Sequence, residues 1–538
     1  MPGGGFYAFV TYGSQNVLLS SNPHMTYFYK VFRKYTHFSE ESFTVPVDGP
    51  NQLAWDKPIQ IRAKLPRNAD LVRDLYFVFT LPDIYSKFVD NTQRRFQYNF
   101  QWSRYIGCRL IDRVSIFIGG QKIQEFDGSY LVAKANLDLE SDALRKWEYL
   151  VGHQPELYDP ANSATAAVGS AGTIQGLYPT VVQSVPLSTT LIPTQVNRPS
   201  VFGRDIYVPI PFWCTEDPSL SLPLCALQLQ EVEIQLTLRP VQELYTILDP
   251  SGYRVAPGYK MDASISQYNL GLPTYSSDIF NETTNNWNIS NFLVDIGYST
   301  PTLETIPYNP RILATYVYLS DEERKTFATT PLQYLVYQVN SVEQTLSTRD
   351  YIRLEISNPI TRLITVPRRT DAIQYRNNEF NWTNWINDVA PYNSTPTNVF
   401  SPPAAPGNPP ASEKSSGLLI PAGQQDIIRG LQVICDGNVL QDERTTEYFR
   451  KLVPYKYYKG ANSLNCVPYP FSIKQSAVQP SGSINASRIK NFQVDVNVFP
   501  LPLSVNNVYT YVYNITVYIE AINWVLIQNG TGGLKYAT

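Results

Sequence analysis

One pattern occurs twice in this chain. Ile111 to Ile123 reads IDRVSIFIGGQKI, and Ile428 to Leu440 reads IRGLQVICDGNVL. In the first, Val114, Ile116 and Ile118 alternate with Arg113, Ser115 and Phe117 before Gly119-Gly120 turns the chain and Ile123 resumes the apolar series. In the second, Leu431, Val433 and Cys435 hold the corresponding apolar positions, Asp436-Gly437 replaces the glycine pair, and Leu440-Gln441 answers Ile123-Gln124. Period-two alternation marks a strand with one buried face. Gly-Gly or Asp-Gly tolerates the positive φ of a two-residue turn, so each stretch predicts a β-hairpin. Both run on into a polar-aromatic segment, Asp127 to Tyr130 and Arg444 to Tyr448. A match of this length, offset by about half the chain, predicts tandem duplication of one β-rich domain.

The length agrees, since 538 residues exceed one ordinary core and suit two or three domains, of which the duplication favours two. With 38 tyrosines and 41 prolines, strands and turns are favoured over helices, and an all-α fold is not expected. A formal net charge of −3 offers no general attraction for nucleic acid or anionic lipid, so no direct nucleic-acid partner is expected. Five cysteines, Cys108, Cys214, Cys225, Cys435 and Cys466, are an odd number without CxxC spacing. They predict free thiols in a reducing compartment rather than a zinc ribbon or disulfide framework. The opening residues form no secretory signal, and no apolar run approaches the roughly 20 residues of a membrane span. A soluble protein made inside the cell is expected, and sequons such as those at Asn281, Asn381 and Asn514 read as chance.

Catalytic signatures are missing. His24, His37 and His153 have no HxxxH or HExxH context, and neither GxSxG nor a P-loop occurs. No residue is nominated as catalytic, cofactor-binding or metal-binding, no cofactor is expected, and the chain reads as a non-enzyme. Paired carboxylates drawn from distant strands are the one catalytic arrangement left open.

The pattern along the chain predicts an all-β fold of two tandem eight-stranded jelly-roll β-sandwiches with a few short helices and long surface loops. Residues 1–38 form an N-terminal arm, with a short helix from Met25 to Lys34 whose sticky face includes Phe28 and Phe32. That helix could equally fold onto its own domain. Residues 39–319 form the first jelly roll, with one helix over Ser129 to Gly152 and long loops at 154–200 and 239–309. The 320–331 linker helix opens on Ser320-Asp-Glu-Glu323, a capping box. Residues 332–538 form the second jelly roll, with a long loop at 368–423. There FQVDVNVF (492–499) is the counterpart of EVEIQLTL (231–238).

Several stretches, in order along nearly the whole chain, carry a resemblance. They are VTYGSQNVLLSSNPHMTYFYKVFRKYTHFSEESF near the start, LPLCALQLQEVEIQLTL, YVYLSDEERKTF, QPSGSINASRI and the final NGTGGLKYAT. Together they resemble the major capsid proteins of nucleocytoplasmic large DNA viruses. The most specific landmark is NP-x-x-T-x-F-x-K-V-x-R-[RK]-Y-T-x-F, here Asn22 to Phe38. The resemblance implies a double jelly roll standing roughly perpendicular to an icosahedral shell. It also implies a homotrimer that forms a pseudo-hexameric capsomer in the virion. The duplication agrees independently, because two similar domains in each of three chains make six similar wedges. Implied partners are neighbouring capsomers and minor capsid, penton and cement proteins, with an internal membrane reached at most through other proteins. The arm is implied to lie at the capsomer base, which makes Asn22, Pro23, Phe28, Lys30, Arg33, Tyr35 and Phe38 candidates for base or lattice contacts. The alternative from composition alone is a carbohydrate-binding or carbohydrate-cleaving jelly-roll protein, which would need convergent carboxylates or an aromatic platform in one loop cluster.

Overall fold

Among the described residues, sixteen principal strands build two sandwiches of the same design. In the first half they are β1 (Phe38–Val45), β2 (Ile59–Lys64), β3 (Leu71–Leu81), β4 (Ile111–Ile118), β5 (Gln121–Phe126), β6 (Arg204–Pro209), β7 (Val232–Leu238) and β8 (Arg311–Leu319). In the second they are β9 (Leu332–Leu346), β10 (Asp350–Leu354), β11 (Pro359–Arg369), β12 (Ile428–Cys435), β13 (Asn438–Thr445), β14 (Val467–Pro470), β15 (Phe492–Val498) and β16 (Tyr513–Gln528). The first half arranges them as β1-β8-β3-β6 and β2-β7-β4-β5, the second as β9-β16-β11-β14 and β10-β15-β12-β13. Adding eight to each strand number turns the first order into the second. Each half is therefore an eight-stranded jelly roll, and the fold is all-β as expected.

The computed structural model describes residues 3–6, 13–14, 17, 21–22, 32, 34–86, 88–89, 97–158, 173–174, 185–186, 199–248, 254–257, 288–294, 305–385, 425–476, 478–501 and 511–536. The helix expected over Met25 to Lys34 and most of the three long loops lie outside the described residues.

Burial follows the alternation. In β7, Val232, Ile234, Leu236 and Leu238 are buried while the residues between them are half-exposed. Ile234 sits between Ala63 and Ile116, and in the second half Val494 sits between Ile352 and Val433. All six are buried. Removing each of the five isoleucine and valine side chains among them from water contributes about 1.5–3 kcal/mol. The duplicated hairpins are β4–β5 and β12–β13. Their turns hold both central residues at positive φ, Gly119 at 55° and Gly120 at 83°, Asp436 at 49° and Gly437 at 81°. That conformation matches the right-handed twist of the flanking strands.

Three expectations need correction. The single helix over Ser129 to Gly152 is two, α1 (Gly128–Asp138) and α2 (Ser141–Leu150), separated by extended backbone at Leu139 and Glu140. The reason is burial: α1 is buried along most of its length whereas α2 buries no residue, so the chain must break to leave the interior. In the linker helix α3 (Asp321–Thr329), Ser320 makes no side-chain bond to the helix backbone, and its hydroxyl instead meets Glu323 at 3.5 Å. The helix start is fastened by Asp70, which accepts from Leu319 N at 2.9 Å and Arg324 Nε at 2.7 Å. Third, residues 368–385, expected at the start of the last loop, complete β11, form a helix at Thr370–Arg376 and bury Phe380 and Trp382. Within 239–309 the described parts are packed: Tyr245 stacks on Phe100 with centroids 4.8 Å apart, and Val255, Ile289 and Ile306 are buried.

The five cysteines are free, four buried and Cys225 half-buried. Asn381 is buried and its amide donates to Trp385 O, which closes that sequon to glycosylation in the folded chain. No helix among the described residues is long and apolar enough to cross a membrane.

Candidate assembly surface

The two sandwiches meet along a buried polar seam organised by α1. At its N-terminus Asp127 accepts from Tyr130 N at 2.7 Å, capping the helix, and from the Tyr518 hydroxyl of β16 at 2.7 Å. The same carboxylate thus starts the helix and fastens it to the other half. Tyr130 donates to Glu520 at 2.5 Å. At the far end Asp138 takes a two-pronged contact from Arg362, at 2.7 and 2.9 Å, while Arg362 also reaches Glu520 at 2.5 Å. Burial alone would raise the Asp138 carboxyl, but the Arg362 guanidinium and Lys134 ammonium hold it below its ordinary value. Arg362 is 1% exposed, and burial there is outweighed by Asp138 and Glu520. Removing one partner from such a site typically costs about 3–5 kcal/mol, because the other charge is left buried and unpaired.

Glu379 is a second node. It accepts from Arg368 at 2.9 Å, Ser129 at 2.9 Å and Arg239 at 3.3 Å, and it contacts Arg109. Arg109 and Arg239 also engage Glu243, so the first half supplies two arginines and the second half one to the same carboxylate. These buried carboxylates are occupied by arginine, lysine or tyrosine, an arrangement that clamps two bodies together.

Backbone edges complete the seam. Gln124 of β5 donates to Tyr337 O of β9 at 2.7 Å, and Gln338 donates back to Ile123 O at 3.2 Å. Gly460 N donates to Leu137 O at 2.8 Å, an approach so close that a Cβ on Gly460 would lie 2.2 Å from Asn136 O. Sequence reasoning found none of these ion pairs. Its one signal was the repeated glutamine: Gln441 faces Val433 in the second hairpin as Gln124 faces Ile116 in the first. The environments differ, however. Ile123 is 1% exposed within the seam, whereas Leu440 at the equivalent position is 47% exposed.

Of the arm candidates, Asn22 is exposed with φ 54°, Tyr35 is 84% exposed, and Phe38 is 54% exposed where it opens β1 opposite Leu319. Pro23, Phe28, Lys30 and Arg33 lie outside the described residues. His153 is stacked between Tyr105 and Tyr158, and among the described residues no group of His, Cys, Asp or Glu is placed to hold a metal.

Residues 26–270 match the family model for the major capsid protein N-terminus, and residues 323–533 match the model for the large eukaryotic DNA virus major capsid protein. The chain belongs to this capsid protein family. The major capsid protein of Phaeocystis pouchetii virus is 24% identical to it, with 99% of each chain covered. That of Paramecium bursaria Chlorella virus 1 is 23% identical, also with 99% of each covered. Among solved structures, PBCV-1 VP54 superposes with a TM-score of 0.60 at 19% identity, covering 95% of this chain and 100% of that one. The Faustovirus major capsid protein gives 0.57 at 12% identity, covering 96% and 94%. At such identities the likeness shows the fold, a double jelly roll. This capsid protein is accordingly a structural component of the virion shell of a large DNA virus, and the carbohydrate-directed alternative finds no support.

Proposed function

We propose that three copies of this capsid protein close into a pseudo-hexameric capsomer, and that its role is self-association without a catalysed reaction. One observation carries the reading: two sandwiches of identical strand order are clamped side by side by a buried seam, so each chain presents two equivalent wedges. Three such pairs fill a nearly hexagonal site with cyclic symmetry. Residues 39–319 and 332–538 are the two wedges and 320–331 the joint. The second family match begins at residue 323, inside α3, which supports that division. The arm, residues 1–38, serves as the base and lattice contact through Asn22, Pro23, Phe28, Lys30, Arg33, Tyr35 and Phe38. Its exposed Phe32, Tyr35 and Phe38 are the kind of aromatic side chains that anchor interfaces. Neighbouring capsomers and minor capsid, penton and cement proteins are its partners, and any internal membrane is met through them.

Electron microscopy of the purified chain tests this. The full-length protein is expected to give three-fold particles with a six-lobed outline, and deletion of residues 1–30 to leave those particles intact while preventing shell growth. Two-fold or single-wedge particles would overturn the capsomer, and normal shells from the truncated chain would overturn the arm's role.

A further inference from the structure

The internal seam has a counterpart on the surface. Within one chain, the β5 edge of the first sandwich seats against the β9 edge of the second. The strands equivalent to these, one jelly roll removed, are β13 and β1, and among the described residues neither has a strand paired on its outer edge. β13 is exposed at every position except half-buried Gln441, and β1 is exposed from Phe38 through Ser42. The helical segments that follow the hairpins behave likewise. α1 is buried in the seam, whereas after β13 Leu452 is 39% and Tyr455 87% exposed.

The register can be transferred residue by residue. On β3 the ladder to β8 skips Arg73, so Asp74 faces Thr315 and Val72 faces Tyr316. On β11 the ladder to β16 skips Thr361, so Arg362 faces Glu520 and Ile360 faces Ala521. Superposing these two irregularities makes Tyr316 equivalent to Ala521. Their partners on the other side are Glu41 of β1 and Gln338 of β9. Glu40 and Glu41 therefore stand where Tyr337 and Gln338 stand in the seam.

We propose that β13 of one copy docks on β1 of the next in the register of the internal β5–β9 contact. This places Leu440 beside Glu41 and aims the Gln441 amide at Glu40 O. The inference rests on the trimer reading and names its surface. One substitution in the pattern matters. Glu41 cannot donate to a carbonyl as Gln338 does, so the reciprocal amide bond of the seam is missing. Glu40 already pairs with Arg73 at 2.6 Å and Glu41 accepts from the Tyr318 hydroxyl at 3.4 Å, while the facing side mixes the exposed cations Arg444, Lys451 and Lys456 with the exposed acids Asp442, Glu443 and Glu447. The charges at this contact are exposed where those of the seam are buried, so salt acts on the contact between copies more than on the seam.

Light scattering at matched concentrations tests the contact, with wild type, Leu440→Glu and Leu440→Glu combined with Glu41→Lys. A carboxylate set against Glu41 is expected to raise the concentration needed for half-assembly roughly 100-fold, and the lysine to restore most of the loss. A Leu440→Cys/Glu41→Cys chain is expected to form covalent trimers under mild oxidation, which supplies a reading that survives any folding defect of the charged variant. If wild type is trimeric but Leu440→Glu remains so and the cysteine pair yields no interchain bond, this contact is overturned while the trimer stands. A monomeric wild type would overturn the trimer itself.

Discussion

His153 shows how a residue that resembles a catalytic group can be structural. Its ring lies 3.8 Å from that of Tyr105 and 4.8 Å from that of Tyr158, centroid to centroid. Burial, with a smaller contribution from Arg104, pulls its pKa from 6.5 down to about 3. The unfolded chain therefore binds a proton between those values that the folded chain refuses. Stability from this group is complete above pH 6.5 and is lost as pH falls toward 3, at about 1.4 kcal/mol per pH unit. His153→Phe keeps the stack and removes the titration. Chemical denaturation at pH 7 and pH 4 should show the wild type losing more stability than the variant over that interval, and equal losses would contradict the assignment. The arginine network was beyond sequence reading for a different reason. Arg362 and Asp138 are 224 residues apart, and nothing in either local pattern marks a charge that will be buried.

Among the elements, the hairpins were legible because β4–β5 and β12–β13 are the only pairings between consecutive strands in the four sheet paths. A two-residue turn leaves a local signature, whereas every other pairing in those four paths joins strands that are not consecutive and leaves none. The break between α1 and α2 was not legible, since both sides are good helix formers and the interruption answers to tertiary burial. The seam also imposes a demand at Gly460 that composition hides. A methyl group there would meet the backbone at Asn136 and Leu137, so Gly460→Ala must push the halves apart locally. Overpacking of this kind costs about 1–3 kcal/mol. Thermal unfolding is expected to show a clear drop in midpoint, and an unchanged midpoint would mean that the approach of the two halves is looser than described.

For the whole molecule, the duplicated pattern and the long run of landmarks made the double jelly roll readable from the amino acids, down to the correspondence of Gln124 with Gln441. What could not be read was how the halves sit together, because that depends on side chains meeting across more than 200 residues, as Ser129 meets Glu379. One contiguous apolar core runs through both sandwiches, and the polar seam locks their relative position. A two-wedge body clamped by a buried seam, with an exposed β1 on one half and an exposed β13 on the other, is suited to closing a ring with its own kind. The most direct test is the solution mass of the purified full-length chain by light scattering. Three copies of 61.0 kDa predict about 183 kDa, unchanged on moderate dilution. A stable mass near 61 kDa at every concentration would contradict the capsomer account.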